Sequence, residues 1–393
     1  MNATAARGVW ADLVGQEALV ELLRRAVTAA QDRLADGPGI GMTHAWLFTG
    51  PPGSGRSNAA RAFAAALQCE RGGCGECNAC RTVLAGSHPD VTFVRTDRSI
   101  ISVKEMRELV PKSYLIPGNR RWQILVLEDA DRINEQAANA LLKSLEEPAS
   151  RTVWMLCTPS LEDLEYPTVK SRCRQVSLRT PSVEAITRLL VERSGVPEGM
   201  AAFAARTSYG HVGRARRLAT DEATRNRRHE VVSIPPRLVG LGACMTAASN
   251  LHEAAVEEGE ATSQRLDETE LRGLAEVYGA DAGGRRPPRG YLGAVSQLKD
   301  DQKRRRRRVV TDSIDGALLE MLGFYRDVLM AQTHSAGHLV NEELRADVAA
   351  VARRGGAEQT LRRMEAIGAC REALTANAAP LLALESLMFS LRL

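Results

Sequence analysis

The chain has 393 residues, of which 44% are hydrophobic and 25% charged, and a formal net charge of +4. This length implies two or three domains with more than one core; the ordinary composition excludes a disordered or collagen-like chain, and the small net charge excludes a protein-wide nucleic-acid footprint, so any such contact has to be local. No stretch approaches the ~20 uninterrupted apolar residues that span a bilayer, and Met1 to Arg7 lacks the apolar core of a secretion signal, so the expected location is cytoplasmic.

In chain order, Leu19, Leu22, Leu23, Ala26, Val27 and Ala30 recur at helical spacing and predict an amphipathic helix over about 16–35, ended by Asp36-Gly37-Pro38-Gly39. The apolar run Trp46-Leu47-Phe48 then enters Thr49-Gly50-Pro51-Pro52-Gly53-Ser54-Gly55-Arg56-Ser57, and a helix follows through Leu67. Strand, glycine-rich loop and helix in this order form a phosphate-binding loop: backbone N–H groups converge on phosphate oxygens and the helix N-terminus adds its positive end. Position 56 should be lysine and is arginine, whose planar guanidinium fits a tightly wrapped phosphate less well than a compact ammonium.

Val91 to Arg95 predicts a short strand, Ser102 with Glu105 a capping box, and Trp122 to Leu127 a parallel strand buried on both faces. Asn134 caps a helix that turns Ala138, Leu141, Leu142 and Leu145 inward and stops at Pro148; Thr152 to Cys157 and Gln175 to Leu178 supply further strands. The alternation predicts an α/β parallel sheet domain over 1–180. Strand signals cease at Pro181. Ile186, Leu189 and Leu190, Ala201 to Arg206, and Gly213 to Ala219 predict three short helices in a small domain over 181–224, and 225–393 reads as all-α, interrupted by a flexible, exposed Gly/Pro/Arg loop at about 281–290.

Three clusters carry chemistry. Cys69-x4-Cys74-x2-Cys77-x2-Cys80, with glycines at 72, 73 and 75 for tight turns, offers four thiolates for a tetrahedral structural zinc with no position open to water. The strand ending at Leu127 runs into Glu128 and Asp129, where a nucleotide hydrolase holds magnesium and polarises water. The usual order is Asp then Glu; the swap displaces each carboxylate by a methylene, and a misplacement near 1 Å costs on the order of 100-fold in rate. Ser171-Arg172-Cys173 precedes the last strand, and arginine suits a transferring phosphoryl group in a neighbouring subunit. Lys303 to Arg308, six consecutive cations, wraps a whole helical turn, so no face there is expected to enter a core; it reads as a solvated segment or, more sharply, as a local DNA-phosphate contact.

Together, Gly50 to Ser57, the four cysteines, Asn139 to Pro148, Thr158-Pro159 and Ser171-Arg172-Cys173 resemble the bacterial clamp-loader family, and within it the delta-prime branch of DNA polymerase III. The likeness is specific over about 9–220. It implies an AAA+ P-loop module, a helical lid and an all-α C-terminal collar in a hetero-pentamer with delta and tau/gamma subunits, which uses ATP to place a sliding clamp on primed DNA. It further implies Arg172 as a finger donated in trans, with Ser171 and Cys173 beside it, and the four cysteines as zinc ligands, although the first gap is shorter than is common. Gly50, Gly53, Ser54, Gly55, Arg56, Ser57, Glu128, Asp129 and the sensor-like Thr158 would form the nucleotide site. In the lid, Gly213 stands where motor subunits carry a sensing arginine, unless Arg214 substitutes. With Arg56 and the swapped acids this implies a degenerate ATP site and a stator-like role, with no intrinsic ATPase as an isolated subunit. The alternatives are an active tau/gamma-like ATPase and a helicase-type AAA+ ring protein.

Overall fold

The computed structural model describes residues 8–94, 100–119, 121–278 and 290–393; all of the expected flexible loop except Gly290, together with Met1–Arg7 and Arg95, lies outside the described residues. The chain divides into two compact units, Met1–Thr220 and Asp221–Leu393.

In the first unit a 3-10 turn (Gly8–Asp12) precedes α1 (Glu17–Leu34), β1 (Ala45–Thr49), α2 (Arg56–Gln68), α3 (Asn78–Leu84), β2 (Val91–Val94), α4 (Val103–Leu109), β3 (Gln123–Leu127), α5 (Glu135–Glu146), β4 (Thr152–Thr158), α6 (Pro167–Lys170) and β5 (Arg174–Ser177). Three further helices, α7 (Val183–Ser194), α8 (Glu198–Thr207) and α9 (Val212–Thr220), enclose a separate core around Ile186, Leu190, Ala204 and Leu218. The five strands are parallel, in the order β2-β3-β4-β1-β5. β1, β3 and β4 are buried at every residue, which is why they read as unbroken apolar runs. Alternation still sorts their side chains: Trp46 and Phe48 join the core on the α1 and α2 face, whereas Ala45 and Leu47 join the core under α4 and α5.

The predicted caps form. Ser102 Oγ accepts from the Glu105 N–H at 3.4 Å while the Ser102 N–H donates to the Glu105 carboxylate at 2.8 Å, and Asn134 Oδ1 accepts from the Ala137 N–H at 2.8 Å. Unforeseen is α3, which starts inside the cysteine cluster. Its N-cap is Cys77, whose sulfur accepts from the Cys80 N–H at 3.4 Å, and cysteine is outside the usual capping set.

The second unit contains α10 (Glu222–Val232), α11 (Leu241–Tyr278), α12 (Tyr291–Gln332), α13 (Arg345–Ala352), α14 (Ala357–Thr375) and α15 (Pro380–Ser390). Asp221 caps α10 by accepting from the Ala223 and Thr224 N–H groups, so this helix, which runs across residue 224, lies whole in the second unit. The apolar core gathers Leu251, Leu318, Phe324, Tyr325, Ile367 and Leu387. Beside it Arg228, 5% exposed, reaches Glu343 at 2.7 Å and Glu320 at 3.3 Å, so this buried cation is paired.

One expectation is overturned. The six cations at 303–308 do send a side chain inward: Arg305 pairs with Glu270 at 2.7 Å and with Asp267 at 2.5 Å across the α11/α12 seam, its side chain only 18% exposed. A helix face can bury a cation when the facing helix supplies carboxylates, and these two lie 35 or more residues earlier in sequence.

Candidate functional site

Parallel strands point their C-terminal ends to one edge, where open α/β sheets bind ligands. Thr49 of β1 is level with Thr158 of β4, and Leu127 of β3 with Leu156, so the loop 50–55, Glu128, Asp129 and Thr158 share this edge. The loop keeps its shape. Gly55 caps α2 from the left-handed region at φ 94°, without a side-chain cap, so the first-turn N–H groups of the helix have no internal partner. Two polar atoms here, Ser54 Oγ and Arg56 Nη1, are buried with no hydrogen-bond partner among the described residues, as a site built for an anionic group would leave them.

Charged groups surround the loop. Burial lowers the Arg56 guanidinium pKa, against the opposing influence of Cys157, Asp131, Asp129 and Asp163. The acids that act on Arg56 are therefore Asp131, Asp129 and Asp163, two of which the motif pattern did not single out. Burial raises the Asp131 carboxyl, reinforced by Asp129 and opposed by its own backbone, Arg132 and Arg56. Glu128 is engaged elsewhere: it pairs at 3.2 Å with Arg61 of α2, which also donates to the Leu84 carbonyl at 3.3 Å and lies 4.2 Å over the Phe93 ring. Glu128 thus ties β3 to α2 and α3. A signal existed in sequence, since Arg61 interrupts the alanine run that α2 buries on nearly every side, and a cation there needs a carboxylate.

Thr158 is fully buried and its hydroxyl donates to the Ser160 carbonyl at 3.0 Å. His211 caps α9, its Nδ1 accepting from the Arg214 N–H at 3.2 Å, and sits on the phosphate-binding loop: a Cβ built at Gly53 would lie 2.6 Å from His211 Cβ. Burial, then the Arg214 and Arg217 charges, lowers the His211 pKa against a smaller opposing influence of its own backbone. Gly213 lies beside this ring, and the Arg214 guanidinium is 5.7 Å from the Tyr209 ring centroid.

The four cysteine sulfurs all lie within 4.8 Å of one another, with Cys69 at 3.7 Å from both Cys74 and Cys77. Four thiolates about 2.3 Å from a tetrahedral centre stand roughly 3.75 Å apart, so the set can hold a metal ion. Backbone N–H groups prepare it: those of Cys74, Cys77 and Cys80 donate to the sulfurs of Cys69, Cys74 and Cys77 at 3.4–3.5 Å. The N–H groups of Glu76 and Cys77 bring Cys74 down to about 6. The cluster is clamped to the body of the unit, because Val9 N–H donates to the Gly73 carbonyl at 3.1 Å and Arg121 to the Cys69 carbonyl at 3.3 Å.

Arg172 follows α6 and is held by an ion pair to Glu146 at the end of α5 and by a 2.7 Å bond to the Thr168 carbonyl. Its neighbour Ser171 is exposed, and burial pushes the Cys173 thiol up to about 12. The β1/β5 register places Arg174 opposite Trp46. Gly50 lies four residues farther along, about 13 Å at ~3.3 Å per residue. Arg172 therefore stands at the opposite edge of the sheet from its own phosphate-binding loop.

The sequence profile described as "DNA polymerase III, delta subunit" matches residues 25–182. Over this stretch the chain is similar to DNA polymerase III delta-type subunits. It is 40% identical to DNA polymerase III subunit delta' of Pseudomonas aeruginosa over 152 residues, 36% of this chain and 45% of that protein. It is 31% identical to DNA polymerase III subunit tau of Bacillus subtilis over 179 residues, 44% of this chain and 30% of that protein. The chain thus spans less than half the length of these curated relatives. A solved DNA polymerase III gamma subunit-related protein from Thermotoga maritima aligns with 93% of this chain, and 98% of its own, at 14% identity and a TM-score of 0.41.

Proposed function

We propose that this chain is the delta-prime subunit of a DNA polymerase III clamp loader. It would comprise an AAA+ nucleotide-binding-like domain over 1–180 with a zinc module at 69–80, a helical lid over 181–224 and a collar over 225–393. In a cytoplasmic hetero-pentamer with delta and tau/gamma subunits it helps place the sliding clamp on primed DNA. It acts as a stator whose own ATP site is degenerate.

The observation that carries this reading is the tie between Glu128 and Arg61, with Arg56 in lysine's place. The loop's N–H groups and Ser54 can still cradle phosphate. Glu128, at the metal-holding position of the acid pair, is paired with Arg61, and His211 rests on Gly53. Arg172, at the far edge of the sheet, suits a neighbour's ATP site, with Glu146 and Thr168 holding the guanidinium in place before assembly. Zinc at Cys69, Cys74, Cys77 and Cys80 would supply a structural cross-link.

The test uses the reconstituted complex. Arg172→Ala is expected to cut its ATP turnover while leaving the subunits associated, and the isolated wild-type chain is expected to turn over no ATP. Unchanged turnover removes the finger; brisk turnover by the isolated chain replaces the stator with an active, tau/gamma-like ATPase. The orphaned Ser54 Oγ and Arg56 Nη1, which a bound nucleotide would satisfy, favour that second reading.

A further inference from the structure

The longest elements of the molecule are α11 and α12, of 38 and 42 residues, and the apolar core of their unit uses only part of them. Core residues on α11 end at Ala255 and those on α12 begin with Ile314, with Val310 packed against them. Residues 256–278 and 291–313 continue as an antiparallel helical hairpin, about 35 Å long at ~1.5 Å per residue. Its seam is small and polar. Gly259 is packed so closely against α12 that an added Cβ would meet Val310 at 2.8 Å. Ser263, Asp267 and Gln302 are buried, and Asp267 and Glu270 hold Arg305. Such a seam contributes less burial than an apolar one, so stabilising the unit does not account for this length.

The cations on the α12 half of the hairpin fall into two groups. Arg305, Arg306 and Arg308 have carboxylate partners at Asp267, Glu270 and Asp312, and Arg304 lies 3.9 Å from Asp301. Lys299, Lys303 and Arg307 are exposed and make no ion pair with any of the described residues. These three are spaced i, i+4 and i+8, so they form one row along the outside of α12 with about 6 Å of rise between neighbours. Asp300 borders the row three residues before Lys303, and the row keeps a net positive charge. An evenly spaced, exposed cationic row along a helix complements a regular line of negative charges, and duplex DNA presents one such charge per strand about every 3.4 Å of its axis.

We infer that the α11/α12 hairpin is a DNA-backbone contact arm, with Lys299, Lys303 and Arg307 neutralising phosphates of duplex DNA without reading sequence. The assignment goes beyond the clamp-loader reading and requires neither nucleotide nor partner subunits. The inward Arg305 keeps the two helices together, and the outward row meets the ligand. Each of the three contacts releases counterions, so the arm contributes about 2.7 to the slope of log affinity against log salt.

The experiment titrates the full chain with a labelled 30-base-pair duplex at 50–200 mM salt. The triple variant Lys299→Gln/Lys303→Gln/Arg307→Gln is compared with wild type and with Arg353→Gln/Arg354→Gln, which removes exposed cations elsewhere in the same unit. The expected result is weaker binding by the triple variant only, with a slope shallower by about 2.7; the affinity lost across this salt range would then be roughly 40-fold smaller than for wild type. The row is exposed and unpaired, so all three proteins should melt alike. A chain that binds no duplex, or a triple variant with the wild-type slope, overturns the assignment. So does binding of poly-glutamate but not duplex through the same three residues, which would reassign the row to an acidic protein partner.

Discussion

The cysteine cluster and the phosphate-binding loop are both glycine-rich turns near the ends of α2, yet they differ in where their chemistry is completed. The cluster is local. Four sulfurs within twelve residues converge, and the N–H groups that polarise them belong to the same turns. The loop is only one part of a site whose other parts come from two further strands and a separate helical core. There each part has a partner of its own: Glu128 pairs with Arg61, Thr158 donates within its own turn, and His211 packs onto Gly53. A locally encoded site survives as long as its few residues do. A distributed site depends on side chains brought up by several elements, whatever conformation the loop itself keeps.

The largest expected effect breaks the local site. Cys74→Ala should abolish stoichiometric metal in an elemental assay and cost about 4 kcal/mol, lowering the unfolding midpoint by roughly 8–16 °C. A metal-free wild-type protein of unchanged stability would remove the contrast. Next, Arg305→Ala should destabilise the second unit by about 2 kcal/mol in denaturant titration, because it leaves the mostly buried Asp267 facing the seam with Arg306 as its remaining cation.

Glu128→Gln should cost about 1 kcal/mol through Arg61 and leave ATP turnover of the assembled complex unchanged. A collapse of turnover would return Glu128 to a catalytic role and erase the difference between the two sites. The smallest effect is electrostatic. His211 titrates below the ordinary histidine value when folded, so the unfolded chain binds its proton first as pH falls. Its contribution is constant above about pH 6.5 and turns destabilising as pH drops from there toward the lowered folded pKa. An NMR titration of the ring should give a midpoint under 6.5, and Gly53→Ala, which crowds the ring, should shift it further.

The cationic stretch on α12 shows how far periodicity alone reaches. Read as an isolated helix, six cations in a row exclude a buried face; the exclusion fails because α11 supplies Asp267 and Glu270. In the same way the acids after β3 read as a pair, Glu128 and Asp129, whereas the acids that act on Arg56 are Asp131, Asp129 and Asp163. No sequence interval could show that β4 lies between β3 and β1, nor that Arg61 would draw Glu128 away.

What the sequence determined by itself is everything set by neighbours a few residues apart: the buried strands, the capping of α4 and α5, the left-handed glycines of the loop and the convergence of four sulfurs. Local backbone geometry and short spacings suffice for these. Tertiary structure alone decided which acid meets which arginine, that Arg172 stands at the far edge of the sheet, and which cations of α12 face inward. A side chain four to six Å long selects among partners brought up by other elements, and burial makes an unpaired charge too costly to leave.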